Sequence, residues 1–253
     1  MITVSIIGFG NVAQHLAAAF YESPEISLLQ LFSRNSNPSS ILPFEVEIIH
    51  NFEELKKADL YIIATSDGAI SEISEKLSFE NQLVAHTSGS VSMNDLSGKN
   101  RKAVFYPLQT FSKNKKLDFK NVPICLECES ETDYHLLEKI AKSISHKVFP
   151  ITSEQRKSLH VSAVFVNNFT NHLYHIADQI CSEQNVSFEI LKPLILETAD
   201  KILTLSPKDA QTGPAKRNDL DTIHSHLEFL GSGNRHNIYQ LLTHSIIEDG
   251  KKL

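Results

Sequence analysis

The chain has little cysteine, no concentration of basic charge and no apolar run of the ~20 residues that a membrane-spanning helix needs. Three cysteines in 253 residues, Cys125, Cys128 and Cys181, cannot build a disulfide framework and point to a reducing compartment. Cys125 and Cys128 form a C-x-x-C, but they sit in an apparent strand, where an odd separation sends side chains to opposite faces. A redox or metal pair is therefore not expected there. Basic residues are scattered apart from short groups such as Lys113, Lys115 and Lys116, and the formal net charge is −6. No basic face for nucleic acid can be read from this pattern. Met1-Ile-Thr-Val-Ser-Ile-Ile-Gly reads as a first strand rather than a signal peptide. These absences lead us to expect a cytoplasmic protein with neither nucleic-acid nor membrane partners. Internal repeats and low-complexity segments are also missing.

What remains is an ordinary globular composition, 41% hydrophobic and 21% charged, in a chain long enough for two domains. Up to about residue 152 short apolar runs alternate with helical stretches. Strands are expected near 4–7, 28–33, 46–49, 59–65, 83–86, 103–106, 122–126 and 147–151, with helices near 11–21, 52–57, 70–77 and 133–145. Such alternation implies a parallel sheet covered on both faces. After Thr152 strand runs vanish, and helical stretches follow at about 154–183, 188–205, 215–230 and 234–248. The expected organisation is an α/β domain over residues 1–152 and an all-α domain over residues 153–253.

Gly8-Phe9-Gly10-Asn11-Val12-Ala13 is G-x-G-x-x-A, directly after the first strand and before a helix. The first glycine permits a tight turn, the second lets the backbone approach a pyrophosphate, and the alanine allows close helix–strand packing. The helix start offers free N–H groups and the positive end of its dipole to phosphate. This context identifies a Rossmann domain, a doubly wound and mostly parallel sheet, with Gly8, Phe9, Gly10, Asn11 and Val12 as cofactor contacts. The second strand ends in Ser33-Arg34-Asn35-Ser36, where NAD-specific folds place an acidic residue for the ribose 2′-hydroxyl. Ser33, Arg34 and Asn35 instead suit a 2′-phosphate, which arginine binds by charge-assisted bonds, so NADP is expected over NAD. Ligands lie beyond the carboxyl ends of parallel strands. Thr65, Ser66 and Asp67, with Ile70 opening the next helix, and Thr87 and Ser88 are therefore further cofactor candidates. Simple turn chemistry, with helix caps at Ser66 or Asp67, is the plainer alternative for these two loops.

Gln109 and Thr110, in the loop after Tyr106-Pro107, are candidates to orient a carbonyl substrate. On the helix near 154–183, His160, Asn167 and Asn171 fall within roughly 40° at 100° per residue, with Asn168 at the margin of the stripe. The rest of that helix is largely apolar, so its polar stripe must line a cavity or find partners. Histidine suits proton transfer near neutrality. His160, Asn168 and Asn171 are therefore read as catalytic candidates, against the alternative of polar groups satisfied within a helical core. Thr212-Gly213-Pro214 is a turn with proline at a first helical position, and Arg217 beyond it either clamps a substrate carboxylate or pairs with Asp219 or Asp221. His172, His175, His224 and His226 do not complete a metal site of the usual ligand count.

With these residues assembled, the chain resembles the Rossmann-like NADP oxidoreductases that carry a C-terminal helical domain of otherwise unknown function. The resemblance covers nearly the whole chain. It rests on the Gly8–Ala13 turn, His86-Thr-Ser-Gly-Ser, Pro107-Leu-Gln-Thr-Phe, Leu159-His160, Asn168-Phe-Thr-Asn171-His172 and Gln211-Thr-Gly-Pro-Ala-Lys-Arg217-Asn-Asp219. The family's loop usually reads His-Pro-Leu-Gln, whereas here Tyr106 precedes Pro107. The wider β-hydroxyacid dehydrogenase group keeps a lysine about four residues before its helix asparagine. Here Ala163 and Val164 stand there, and His160 is the substitute. The resemblance implies a helical domain like that of 6-phosphogluconate dehydrogenase-like reductases, and a homodimer formed through the C-terminal helices. Some relatives are alternative ketopantoate reductases. The expected activity is NADP-dependent hydride transfer to a small keto acid, ketopantoate among them, or to an imine at the domain interface. The other readings are a non-catalytic protein that senses NADP(H), and an NADP oxidoreductase linked to a deazaflavin coenzyme.

Overall fold

The computed structural model describes residues 1–35, 42–113, 115 and 117–251. Ser36 and Lys116 lie outside the described residues. The chain divides into two compact units, Met1–Asn167 and Asn168–Leu253.

The first unit is built on one eight-stranded sheet. Its strands are β1 (Ile2–Ile7), β2 (Ile26–Phe32), β3 (Glu47–Ile49), β4 (Leu60–Ile63), β5 (Leu83–His86), β6 (Arg101–Pro107), β7 (Ile124–Cys128) and β8 (Val148–Pro150). They lie in the order 3-2-1-4-5-6-7-8, parallel except for the β6–β7 pair. The first five strands follow the doubly wound order, which reverses beside β1 and so opens a crevice at its carboxyl end. The register Val4↔Leu60 to Ile7↔Ile63 brings the ends of β1 and β4 level. Because both faces of the sheet are covered, β4 (Leu-Tyr-Ile-Ile) reads as a continuous apolar run, and β1 buries even Ser5 between Val4 and Ile6.

Helices α1 (Asn11–Glu22) and α3 (Glu131–Ile144) bury Leu16, Phe20, Leu137 and Ile140 in one core with Ile6, Ile62 and Phe105. On the other face α2 (Ile70–Lys76) packs Ile70 and Ile73 with Ile7, Tyr61 and Ile63. The helix expected over 52–57 is only a short 3-10 turn, Phe52–Glu54. The buried Gln30 side chain takes over its bonding, donating to Glu54 O (3.0 Å) and accepting from Lys56 N (2.7 Å).

Helix α4 (Ser153–Ala163) follows Thr152, whose side chain caps it in a reciprocal box with Gln155. The change of texture thus lies at Thr152, while the units divide between Asn167 and Asn168. The difference is α4, which belongs with the sheet because its Arg156 is 1% exposed and bonded to β7. Val164–Phe169 forms a π-helical turn, and the unit boundary falls inside it. A π turn takes up an extra residue. The 100° phase that aligned His160 with Asn167 and Asn171 therefore does not carry through it, and the single polar stripe read from the sequence is corrected on this point.

The second unit holds α5 (Thr170–Glu183), α6 (Lys192–Thr204), α7 (Pro207–Ala210), α8 (Pro214–Arg217), α9 (Leu220–Leu230) and α10 (Asn234–Lys251). The helix expected over 215–230 is broken at Asn218, which is left-handed at φ 54°, and restarts under the Asp219 cap. Arg235 of α10 forms a fork with Glu183 of α5 at 2.7 Å through both nitrogens. Among its described residues only Ala215 and Ile223 are buried hydrophobics. No helix among the described residues is long and apolar enough to cross a membrane.

Candidate active site

The glycine turn sits where β1 meets the crevice. Gly8 has φ +142°, and a Cβ there would stand 2.2 Å from the Ala64 carbonyl oxygen, so only glycine lets β1 and β4 close at this point. A Cβ on Gly10 would meet nothing within 4 Å among the described residues, which leaves the backbone open to them on that side. Helix α1 starts with no side-chain cap and no acidic residue in its first turn. Beside the turn the Thr65 hydroxyl is buried without a hydrogen-bond partner among the described residues. An uncapped helix start, an open glycine and an unpaired hydroxyl together fit the pyrophosphate of a dinucleotide.

The other cofactor candidates divide between those that face this space and those that build it. Phe9 and Val12 pack against the core beside α1. The Asn11 amide donates to Phe111 O at 3.0 Å, and His15 Nε2 lies 3.1 Å from Ser112 O, so the loop after β6 is tied to the start of α1. Gln109 and Thr110 are exposed in that loop, and Gln109 Oε1 accepts from the Thr110 N–H at 2.8 Å. Arg34 is exposed at the end of β2. Ser33 is buried, with its hydroxyl bonded to Asn35 and its carbonyl oxygen 2.8 Å from His50 Nδ1. The sequence reading did not single out His50.

Two of the expected contacts, Ser88 and Asp67, are loop builders in the structure, and a third, Ile70, is core. Ile70 is 1% exposed and belongs to the core under α2, so it supports the crevice from below. Ser88 Oγ accepts from the N–H groups of Ser90 (3.1 Å) and Val91 (3.0 Å), which turns it into its own loop. Asp67 accepts from Ser90 Oγ at 2.5 Å, joining the loop after β4 to the loop after β5. Ser66 and Thr87 flank these bonds; Ser66 is exposed and Thr87 N donates to Ile63 O.

Two features under this rim have no counterpart in the sequence reading. The first is a buried ion pair. Arg156 Nη1 donates to Ser88 O (3.0 Å) and Val91 O (2.7 Å), and Nη2 to Glu127 Oε2 (3.1 Å) and Ser153 Oγ (2.9 Å). It staples the loop after β5 to β7 and α4. His86 lies beside it, fully buried, with Nδ1 accepting from Ser88 N at 3.1 Å. Burial first, then the Arg156 guanidinium, lower the His86 pKa to about 4, so the ring is neutral and its proton sits on Nε2. Among the described residues that nitrogen has no partner in good hydrogen-bond geometry, although the Ser92 backbone works against the shift.

The second is a contact between Tyr106, at the end of β6, and His160 of α4. Tyr106 Oη and His160 Nδ1 are 3.0 Å apart, with the rings edge-on at 66°. Burial, with Cys125 nearby, pushes the Tyr106 pKa up to about 12. Of the four residues expected to be catalytic, His160 alone shares a unit with the glycine turn. Asn168 and Asn171 are exposed in the second unit, where Arg217 lies 3.9 Å from Asp219, itself the cap of α9. The three cysteines are free, and Cys128 Sγ donates to Ser130 O. Among the described residues no group of three or more histidine, cysteine or acidic side chains is arranged to hold a metal ion.

The family model described as a domain of unknown function (DUF2520) matches residues 122–246. A Bacteroides fragilis protein that carries the provisional name of an NADP oxidoreductase is 39% identical, with 98% of each chain covered and a TM-score of 0.89. A Thermotoga maritima protein is 20% identical, again with 98% of each chain covered, at a TM-score of 0.73. The NADP-bound pyrroline carboxylate reductase of Plasmodium falciparum is 12% identical, covering 99% of this chain and 97% of its own, at 0.65. No curated protein sequence matches the chain.

Proposed function

The chain belongs to the Rossmann-type NADP oxidoreductases that carry a C-terminal helical domain, and from that membership we propose that it uses NADPH to reduce a small keto acid or an imine. The observation that carries this reading is the Gly8–Ala13 turn, open at Gly10 and continued by an uncapped α1. Its N–H groups and the positive end of the helix dipole suit a pyrophosphate. Arg34, with Ser33 and Asn35 on either side, offers a cation to a 2′-phosphate where an NAD site has a carboxylate. When bound, the nicotinamide supplies the hydride. His160 holds a transferable proton for the oxygen or nitrogen of the reduced bond. Both C=O and C=N substrates stay within the proposal: the resemblance suggests ketopantoate, and the pyrroline carboxylate reductase of similar fold is named for a cyclic imine.

We also propose a homodimer formed by the helical unit of a cytoplasmic protein. Ile190, Leu194, Leu196, Leu203, Phe229 and Leu241 are each 61–80% exposed. Burying such a side chain fully is worth about 1.5–3 kcal/mol.

The test is titration with NADPH and NADH followed by ligand fluorescence. NADPH should bind at least tenfold tighter. Arg34→Ala should remove most of that difference, since a charge-assisted bond is worth about 1.5–3 kcal/mol. Gly8→Ala should abolish binding. Equal affinity for the two cofactors would remove the role of Arg34, and no binding would remove the reading altogether. Oxidation of NADPH is then followed with ketopantoate, other 2-oxo acids and cyclic imines. Full turnover by His160→Ala would show that the proton comes from elsewhere.

A further inference from the structure

We propose that Tyr106 is a positioning residue for His160: its phenol donates to Nδ1 and selects the imidazole tautomer whose proton lies on Nε2. The inference rests on the reading of His160 as the proton source and says which of its nitrogens delivers: as Nε2 gives its proton to the reduced oxygen or nitrogen, Nδ1 takes the proton of the phenol, so the ring stays neutral and water reprotonates the phenolate of Tyr106 afterwards.

Geometry carries the proposal. Tyr106 is 7% exposed, and Nδ1 at 3.0 Å is the one hydrogen-bond partner of its hydroxyl among the described residues. A phenol has one proton to donate, while a neutral imidazole has one donor and one acceptor nitrogen. With the Tyr106 pKa pushed up to about 12, the hydroxyl keeps its proton. A buried O–H without an acceptor is costly, so the O–H donates, Nδ1 accepts, and the ring proton lies on Nε2.

Both rings are held in place from the side. A Cβ on Gly89 would stand 2.4 Å from His160 Nδ1 and 2.9 Å from Tyr106 Cζ. Only glycine lets the loop after β5 close over the pair. Arg156, one turn before His160 on α4, donates to Ser88 O and Val91 O in that same loop. Helix, loop and strand end are thereby tied together around the two rings.

The test is a long-range proton–nitrogen NMR spectrum of the full chain labelled with 15N-histidine, at pH 8 and without substrate. His160→Gln identifies the His160 signals. We expect Nδ1 to appear unprotonated and shifted by an accepted hydrogen bond, with the proton on Nε2. In Tyr106→Phe that shift should vanish. A proton on Nδ1 in the unaltered protein would overturn the proposal by itself, whether or not the Phe variant folds. Unchanged His160 signals in a folded Tyr106→Phe would overturn it as well. Once a substrate turns over, Tyr106→Phe should lower kcat about tenfold with KM little changed, part of the ~10²–10⁴ that a positioned acid contributes. The spectrum needs no turnover. A failed positioning role is therefore told apart from a failed proton-source reading, which His160→Ala tests.

Discussion

Replacing Arg156 by methionine keeps the volume of a fully buried side chain and removes its donors. Four hydrogen bonds disappear, to Ser88 O, Val91 O, Glu127 Oε2 and Ser153 Oγ. Glu127 is left with a carboxylate whose side chain is only 15% exposed. Removing one member of a buried pair costs about 3–5 kcal/mol, because the other charge stays behind. Glu127 keeps the bonds from Ser153 N (2.8 Å) and Ser153 Oγ (2.9 Å), so the lower end, about 3 kcal/mol, is expected. A fold of ordinary stability, about 5–15 kcal/mol, survives that loss. Urea unfolding should show a lower midpoint at an unchanged slope. Arg156→Met with Glu127→Gln should recover about 1–2 kcal/mol, because no buried charge is then unpaired. A single variant that loses less than about 1 kcal/mol would refute the assignment of Arg156 as the staple of the loop after β5. So would a double variant no more stable than the single one. The same variant frees the loop that carries Ser88 and Ser90, so NADPH affinity should fall with stability.

Acid should destabilise the first unit through His86. Its pKa is about 4 folded against 6.5 for an ordinary histidine, so between those values the unfolded chain binds the extra proton. Stability then falls as pH drops from above 6.5 towards 4, by about 3 kcal/mol in all. Unfolding midpoints of His86→Asn measured across that window should show a much flatter decline, and an equally steep one would assign the sensitivity to other groups. The proposed dimer should appear in sedimentation at about twice the chain mass of 28.4 kDa. Leu203→Asp, at a side chain that is 80% exposed, should shift it towards the monomer without lowering helix content. A monomer at micromolar concentration would leave the apolar helical surface to some other partner.

What could be read in advance was local in the chain. The turn at Gly8 is legible because strand, glycines and helix start are contiguous, and because its requirement for a positive φ is met by one residue type. β4 and the start of β5 stand out as short contiguous apolar runs, since burial on both faces leaves no polar alternation. Phe52–Glu54 shows where local signals mislead. Asn51 caps it and two glutamates follow, as at the start of a helix, yet Leu55 turns extended at ψ 117°. A buried glutamine from β2 supplies the bonds that a longer helix would have made. The π turn at Val164–Phe169 has no composition of its own, so a stripe drawn at 100° per residue loses its phase across it. Arg156 and Tyr106 were invisible as functional groups for one physical reason. Beside Ser153 on its own helix, the partners of Arg156 are two backbone carbonyls more than 60 residues earlier in the chain and a strand glutamate 29 residues earlier. Tyr106 meets a histidine 54 residues later. Neither spacing has a period, because the sheet order and not the helix pitch brings those atoms together. The departure of Tyr106 from a family histidine was visible as a difference in sequence. Its meaning required the end of β6, α4 and the space at Gly89 at once: the phenol stands where it can bond the imidazole of His160, so the two rings act as one unit.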